Sequence, residues 1–140
     1  MTRAVFADTS AWLALANRTD RLHRPAVERH HELLAAGAHY LTTEAVLTEV
    51  ANALARPPLR EAAIRFVDAL RASRRVAIVP VDGGTFARGW ELYRGRPDKP
   101  WGLTDCISFV VMAEHGVREA FAADRHFEQA GYTCLLSPAD

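Results

Sequence analysis

Short apolar segments alternate with longer helical segments along the chain, and this alternation restricts the fold more than any other feature. The apolar segments are short enough for buried β-strands and lie at residues 5–7, 39–42, 76–81, 120–123 and 132–136. Helical segments are expected at residues 11–16, 23–36, 44–54, 59–72, 85–93, 105–115 and 125–130. The alternation predicts an α/β fold, in which about five short strands form a mostly parallel sheet with helices on both faces.

Polar residues that can cap a first turn mark where several of these helices begin, and aromatic residues mark the core. The expected caps are Thr9 or Ser10, Thr43, Asp82 or Thr85, and Thr104. The expected aromatic core residues are Trp12, Trp90, Phe109 and Phe121.

Length and composition limit the classes of protein to which the chain can belong. Its 140 residues predict a single domain, residues 1–140, because two domains would each have a thin core. With 49% hydrophobic and 24% charged residues, the chain is expected to fold rather than remain disordered. Lys and Arg number 17, as do Asp and Glu, so the zero net charge excludes a polybasic coat but leaves a local basic patch open.

Apolar runs and cysteines bear on cellular location. No apolar run approaches the roughly 20 residues of a membrane span, and the apolar start of the chain is too short for a signal peptide. Cys106 and Cys134 lie far apart without a CxxC partner, which argues against a zinc site or a disulfide framework and predicts buried thiols. The sequence therefore predicts a cytoplasmic protein that does not enter a membrane.

Four carboxylates stand where a strand ends or inside an otherwise apolar helix. Asp8 follows the first strand and Asp124 follows the fourth, while Glu49 and Asp105 are the only charges within residues 45–55 and 102–113. Ligands of open α/β sheets bind at the carboxyl ends of strands, so these acids are expected to converge. Because buried carboxylates repel one another, their convergence favours a divalent cation, Mg²⁺ or Mn²⁺.

Each acid also has a purely structural interpretation. Asp105 would interact with a helix dipole, Asp124 would cap a short turn, Asp8 would be a turn residue, and Glu49 would pair with an arginine. Four such coincidences at the same sheet edge are less probable than a single metal site.

The four acids lie in four short motifs. These are Asp8-Thr9-Ser10, residues 47–54 around Glu49, Leu103-Thr104-Asp105-Cys106 and Ala123-Asp124-Arg125-His126-Phe127. In their order and spacing, over residues 5–136, they resemble the motifs of PIN-domain ribonucleases, and most of all the VapC toxins of bacterial and archaeal toxin–antitoxin pairs. The resemblance implies a PIN fold and metal-dependent endonuclease activity on single-stranded RNA. It also implies a homodimer and a cognate antitoxin protein encoded nearby.

The resemblance assigns roles to the four acids and to three hydroxyl residues. Asp8 and Asp105 are the expected direct ligands of one or two Mg²⁺ ions, with Mn²⁺ as a substitute, while Asp124 and Glu49 act through water or on a second ion. The supporting residues are Thr9, Ser10 and Thr104. Thr9 or Ser10 would bind Asp8 or a phosphate oxygen, although helix capping explains all three equally well or better.

Basic residues near the acids are candidates for RNA binding. Arg125 and His126 follow Asp124, and His126 is expected to orient its neighbours or lie at the surface rather than act as a general acid or base. Arg96 and Lys99 lie in the loop before Asp105. Residues 56–75, with six arginines and two acids, either follow RNA phosphates or form a solvated face. In the same loop Trp101 either stacks on a base or packs onto its own domain, and packing is favoured.

Other functions remain as alternatives. A phosphatase of the haloacid-dehalogenase type needs a second acid two residues after Asp8, where this chain has Ser10. A response-regulator receiver needs paired acids and a late lysine, but the only lysine is Lys99 in a loop. A housekeeping RNA-processing nuclease and a non-catalytic PIN-like binding module both stay open. So do the RNA target, the antitoxin and the number of metal ions.

Overall fold

The computed structural model describes residues 3–136, which contain a five-stranded parallel sheet. The strands are β1 Ala4–Ala7, β2 His39–Thr43, β3 Val76–Val79, β4 Glu119–Phe121 and β5 Thr133–Cys134. They lie in the order β3-β2-β1-β4-β5, and every neighbouring pair is parallel. The predicted α/β fold and parallel sheet are confirmed, although β3, β4 and β5 each end before the predicted residue.

Seven helices lie between or beside these strands in the described residues. They are α1 Thr9–Ala16, α2 His23–Ala35, α3 Glu44–Ala53, α4 Leu59–Ala72, α5 Gly83–Gly95, α6 Leu103–His115 and α7 Arg125–Gln129. All seven lie within two residues of the predicted bounds, since apolar spacing and breaker residues such as Gly37, with its positive φ of 77°, are local signals.

The order of the sheet brings the ends of two sequence-distant strands together. β1 lies in the middle and pairs with β2 on one side and β4 on the other. Beyond β1, the Asp8 N–H donates to the Phe121 carbonyl at 3.1 Å, which extends the pairing with β4 by one bond. The residues that follow β1 and β4 therefore meet at one edge of the sheet.

Helix capping was predicted correctly for two helices. The Thr43 side chain accepts a hydrogen bond from the Val46 N–H at 3.1 Å at the start of α3. The Asp82 side chain accepts one from the Thr85 N–H at 2.8 Å at the start of α5. Each of these caps is a polar side chain three residues before the amide that it satisfies, which is a pattern visible in sequence.

The predicted caps of two other helices are wrong. α1 begins directly after Asp8, so Thr9 and Ser10 lie inside its first turn. α6 begins after Gly102, so Thr104 also lies inside the helix. Asp105, in the first turn of α6, accepts a hydrogen bond from the Gly102 N–H at 3.2 Å. The side-chain hydrogen bond at this helix start therefore comes from Asp105 and not from Thr104.

The core contains three of the four predicted aromatic residues. Trp12, Phe109 and Phe121 are buried, whereas Trp90 is 42% exposed and its assignment to the core was wrong. The reason is that α5 packs on α6 through Gly89, where an added Cβ would lie 2.5 Å from the Ile107 side chain. With Gly89 against α6, the next residue along the helix points elsewhere.

Both cysteines are free thiols, as expected, but only Cys106 is fully buried, while Cys134 on β5 is partly exposed. Within residues 3–136, no helix combines the length and the apolar character that a membrane crossing requires.

Candidate active site

Asp8 is buried at the carboxyl end of the central strand. It is 3% exposed, and its backbone carbonyl accepts hydrogen bonds from Ala11 and Trp12 in the first turn of α1. Among the described residues, its Oδ1 atom has no hydrogen-bond partner, and Oδ2 has a long contact of 3.5 Å from the Ser10 hydroxyl; the Thr9 backbone also stabilises the charged form of the carboxylate. Burial raises the pKa of Asp8 to about 7, with smaller contributions from Asp105 and other nearby carboxylates.

Asp105 lies in the first turn of α6 and faces the same region. Its Oδ2 atom accepts hydrogen bonds from the Gly102 N–H at 3.2 Å and from the His126 Nδ1 at 2.9 Å. Its side chain is 15% exposed. Burial raises the pKa of Asp105 despite these two hydrogen bonds, and the Asp124 carboxylate raises it further.

Asp124 follows β4 and caps the short helix α7. Its Oδ1 atom accepts a hydrogen bond from the His126 N–H at 2.9 Å and lies 3.3 Å from the His126 Nδ1. The structural role expected of Asp124, a cap, is therefore present together with its position beside Asp8 and Asp105. The two roles do not exclude each other, because capping occupies only one carboxylate oxygen.

Glu49 lies on α3 and differs from the other three acids. It is exposed, so the expectation of a lone carboxylate buried in an apolar helix was wrong for this residue. Its Oε1 atom accepts a hydrogen bond from the Thr9 hydroxyl at 2.6 Å. Its charge contributes to the raised pKa of Asp8, so Glu49 lies at the margin of the acidic cluster.

The three hydroxyl residues have different surroundings. The Thr9 hydroxyl donates to Glu49 rather than to Asp8, and so connects α1 to α3. The Ser10 hydroxyl accepts a hydrogen bond from the Ala123 N–H at 3.2 Å, which fixes the segment before Asp124. Thr104 accepts the Ser108 hydroxyl through its backbone carbonyl at 2.9 Å, which is a contact within the helix.

His126 is turned into the acidic cluster. Ligating atoms of Asp105, Asp124 and His126 lie within 4.8 Å of one another. The sequence offered His126 both as a residue that contacts RNA and as one that orients its neighbours, and its contacts with Asp105 and Asp124 are those of an orienting residue. A signal for this was present, because His126 follows Asp124 by two residues at a helix start, where the turn brings its backbone N–H to the Asp124 carboxylate.

The remaining candidate RNA-binding residues differ in their exposure and in their partners. Arg125 is exposed at the start of α7, and Lys99 is partly exposed in the loop before α6. Arg96 is held by two hydrogen bonds to Asp98, at 3.0 and 2.9 Å. Trp101 is 6% exposed, and its indole N–H donates to the Gln129 side chain at 3.0 Å, so packing is its role, as favoured.

The acidic cluster fits a divalent cation. Carboxylate oxygens are the ligands that Mg²⁺ and Mn²⁺ prefer, and an imidazole nitrogen is acceptable to Mn²⁺. The buried Asp8 Oδ1 atom without a partner is the kind of group that a cation satisfies. The carboxylates of Asp105 and Asp124 also raise the pKa of Asp8, and that of Asp124 raises the pKa of Asp105; a bound cation would oppose both effects.

The fold places one acid directly after the central strand and brings others to the same edge of the sheet. Residues 5–131 match the model of the PIN domain. The chain belongs to the PIN-domain family, as the four acidic motifs predicted.

A curated protein and a crystal structure show which members of the PIN-domain family the chain is similar to. The chain is 31% identical over 129 residues to the 23S rRNA-specific endonuclease VapC20 of two Mycobacterium tuberculosis strains, covering 91% of this chain and 95% of the relative. The crystal structure of M. tuberculosis VapC20, described as a Sarcin-Ricin loop cleaving toxin, matches with a TM-score of 0.80 at 30% identity, over 92% of this chain and 96% of that one.

A more distant structure shares the fold alone. VapBC2 from Rickettsia felis, bound to a DNA fragment from its promoter, matches with a TM-score of 0.68 at 14% identity, over 94% of this chain and 96% of that one.

Proposed function

We propose that this protein is a metal-dependent endoribonuclease specific for single-stranded RNA and that it acts as the toxin of a toxin–antitoxin pair. The observation that carries the proposal is the convergence of Asp8, Asp105 and Asp124, with one buried Asp8 oxygen left without a partner in the described residues. The likeness to VapC20 over almost the whole chain supports the same reaction class. We extend the proposal to residues 1–140 as one nuclease domain in the cytoplasm.

The chain's own residues would form the site as follows. Asp8, Asp105 and Asp124 would hold Mg²⁺, or Mn²⁺ in its place, with Glu49 acting through water. When bound, the ion would polarise the scissile phosphate and lower the pKa of the attacking water. Thr9 would hold the Glu49 carboxylate, and His126 would hold Asp105 in position, so that these groups are preorganised before RNA arrives.

The test is RNA cleavage with and without Mg²⁺ or Mn²⁺, in the wild type and two matched variants. Asp8→Asn should lose at least about 100-fold in rate, because a neutral amide is a poor ligand. Asp82→Asn changes an acid of the same type at a helix cap outside the cluster and should leave the rate unchanged. Products should end in 5′-phosphate and 3′-hydroxyl groups. Cleavage in EDTA, or 2′,3′-cyclic phosphate ends, would reject the mechanism.

The sarcin–ricin loop of 23S rRNA is the first substrate to test, because the VapC20 toxin cleaves that loop. A matched hairpin with a scrambled loop is the control. Preferential cleavage of the natural loop would extend the relative's specificity to this protein, while equal cleavage of both hairpins would assign it a different target.

The proposed partners are a cognate antitoxin and a second copy of the chain. Expression of the wild type should arrest growth, and expression of Asp8→Asn should not. Co-expression of the antitoxin encoded beside the gene should relieve the arrest. If growth continues with a protein that cleaves RNA in vitro, a housekeeping RNA-processing role is favoured instead.

A further inference from the structure

We propose that Trp90 and Tyr93 form a stacking platform for a base of the RNA strand that leads to the acidic site, and that Arg94 and Lys99 contact its phosphates. This inference rests on the proposed ribonuclease function and names where its substrate binds outside the carboxylates. The sequence placed Trp90 in the core, so the platform became visible only in the fold.

The two aromatic side chains are exposed and already stacked. Trp90 is 42% and Tyr93 is 44% exposed, and their ring centroids lie 5.2 Å apart at an interplanar angle of 15°. Because Gly89 sits against Ile107, the following turn of α5 turns these rings toward solvent. A parallel aromatic pair with an open outer face can accept a nucleobase of any type.

A groove extends from this pair to the start of α6. It has a volume of about 780 Å³ and is lined in part by Trp90, Tyr93, Arg94, Lys99, Gly102 and Leu103. Two of its lining residues lie next to the acidic cluster, since Leu103 begins α6 and the Gly102 N–H donates to Asp105. A strand bound on the aromatic pair would therefore continue toward the Asp105 carboxylate.

The charge of the groove matches a polyanion. Of the described residues that line it, Arg94, Arg96 and Lys99 are cationic and none is acidic. Arg96 is already held by Asp98 and lies 5.1 Å from the Trp101 ring centroid, so it shapes the groove. Arg94 meets Glu91 only at 3.5 Å, and both side chains are more than half exposed, so Arg94 stays available to a phosphate.

The same charges disfavour a second copy of this chain in the groove. A two-fold contact centred there would bring two sets of three cations together in a desolvated interface. An RNA strand instead supplies phosphates for the cationic side chains of the groove and flat bases for its aromatic rings. RNA is therefore the occupant to which the proposal commits.

The experiment measures binding of a fluorescein-labelled single-stranded RNA of mixed sequence by anisotropy over a series of salt concentrations. All variants are made in the full-length Asp8→Asn protein, so that the RNA stays intact. Trp90→Ala should weaken binding roughly 10-fold without changing its salt dependence, and Trp90→Phe should retain most of the affinity. Lys99→Ala should instead reduce the slope of log affinity against log salt by about 0.7.

Phe86→Ala is the matched control. Phe86 is 48% exposed on the same helix but does not line the groove, so RNA affinity should not change. If Phe86→Ala and Trp90→Ala weaken binding equally, the groove has no special role and the inference is overturned. Light scattering on each variant gives the molar mass, and a change from dimer to monomer with unchanged RNA affinity assigns the aromatic face to a second copy and also overturns it.

Failure of the inference and failure of the proposed function are distinguishable. If the wild type cleaves RNA with Mn²⁺ but Trp90→Ala in the Asp8→Asn protein leaves RNA binding unchanged, only the platform is rejected. If the wild type does not cleave RNA under any metal condition, the ribonuclease function itself is rejected.

Discussion

Asp8 directly follows the central strand. Burial and the neighbouring acids destabilise the charged form of its carboxylate. The position could be predicted from sequence, because an acid directly after a buried strand is a local pattern. The Thr9–Glu49 hydrogen bond could not, since it depends on how α1 and α3 pack. Likewise, the exposure of Glu49 is set by the orientation of α3, and its isolation among apolar residues in sequence does not reveal it.

The raised pKa of Asp8 predicts how the stability of the metal-free protein depends on pH. Since the folded-state pKa is about 7 and the unfolded value is near 3.8, the folded state retains a proton that the unfolded state has lost between these two pH values. The free energy of unfolding should therefore fall by roughly 3–5 kcal/mol as pH rises from about 4 to about 7 from this group alone.

The measurement is thermal unfolding in EDTA from pH 4.5 to 8 for the wild type and Asp8→Asn. The neutral variant should gain stability relative to the wild type as pH rises. A difference between the two proteins that stays constant over this range would contradict the pKa.

The packing of α5 on α6 sets both the position of Asp105 and the exposure of the aromatic pair. Helix bounds were predicted to within two residues because spacing, caps and breakers are local. The face of α5 that packs on α6 was not predicted, because a glycine, Gly89, marks it in the sequence rather than an apolar residue. The cap of α6 was missed for a similar reason, since the Gly102 N–H is satisfied by an acid from inside the helix.

Gly89→Ala should destabilise the protein by about 1–3 kcal/mol, because its Cβ would lie 2.5 Å from the Ile107 side chain and the helices would have to separate. RNA cleavage should fall as well, since α6 carries Asp105. Gly95→Ala is the control, because a Cβ at Gly95 has no atom within 4 Å. Urea unfolding of both variants tests this, and equal midpoints for the two would show that the close approach is relaxed at no cost.

At the scale of the whole molecule, the site is assembled from segments that are far apart in sequence. Asp8 follows β1, Glu49 lies on α3, Asp105 on α6 and Asp124 before α7. The sequence could predict that these acids converge, because parallel strands share one edge. The position of His126 beside Asp124 could be expected from their spacing, whereas its hydrogen bond to Asp105 could not, because that bond depends on how α6 and α7 pack.

A ligand held by all of these segments should stabilise the entire fold, because the unfolded chain has no such site. Mn²⁺ at about 100 times its dissociation constant should raise the unfolding temperature by about 5–10 °C. Asp8→Asn should abolish the shift, and Asp82→Asn should retain it. Differential scanning calorimetry with a Mn²⁺ titration measures this, and an equal shift in Asp8→Asn would place the ion outside the acidic cluster.

The central place of β1 in the sheet also has a consequence during synthesis of the chain. β1 leaves the ribosome more than 110 residues before its β4 partner, and the Asp8 N–H donates to the Phe121 carbonyl across that interval. A nascent chain that has reached only α5 therefore carries Asp8 and Glu49 but lacks Asp105, Asp124 and one neighbour of its central strand. Translation of nearly the entire chain must precede assembly of the acidic cluster, so incomplete chains should carry no cleaving activity.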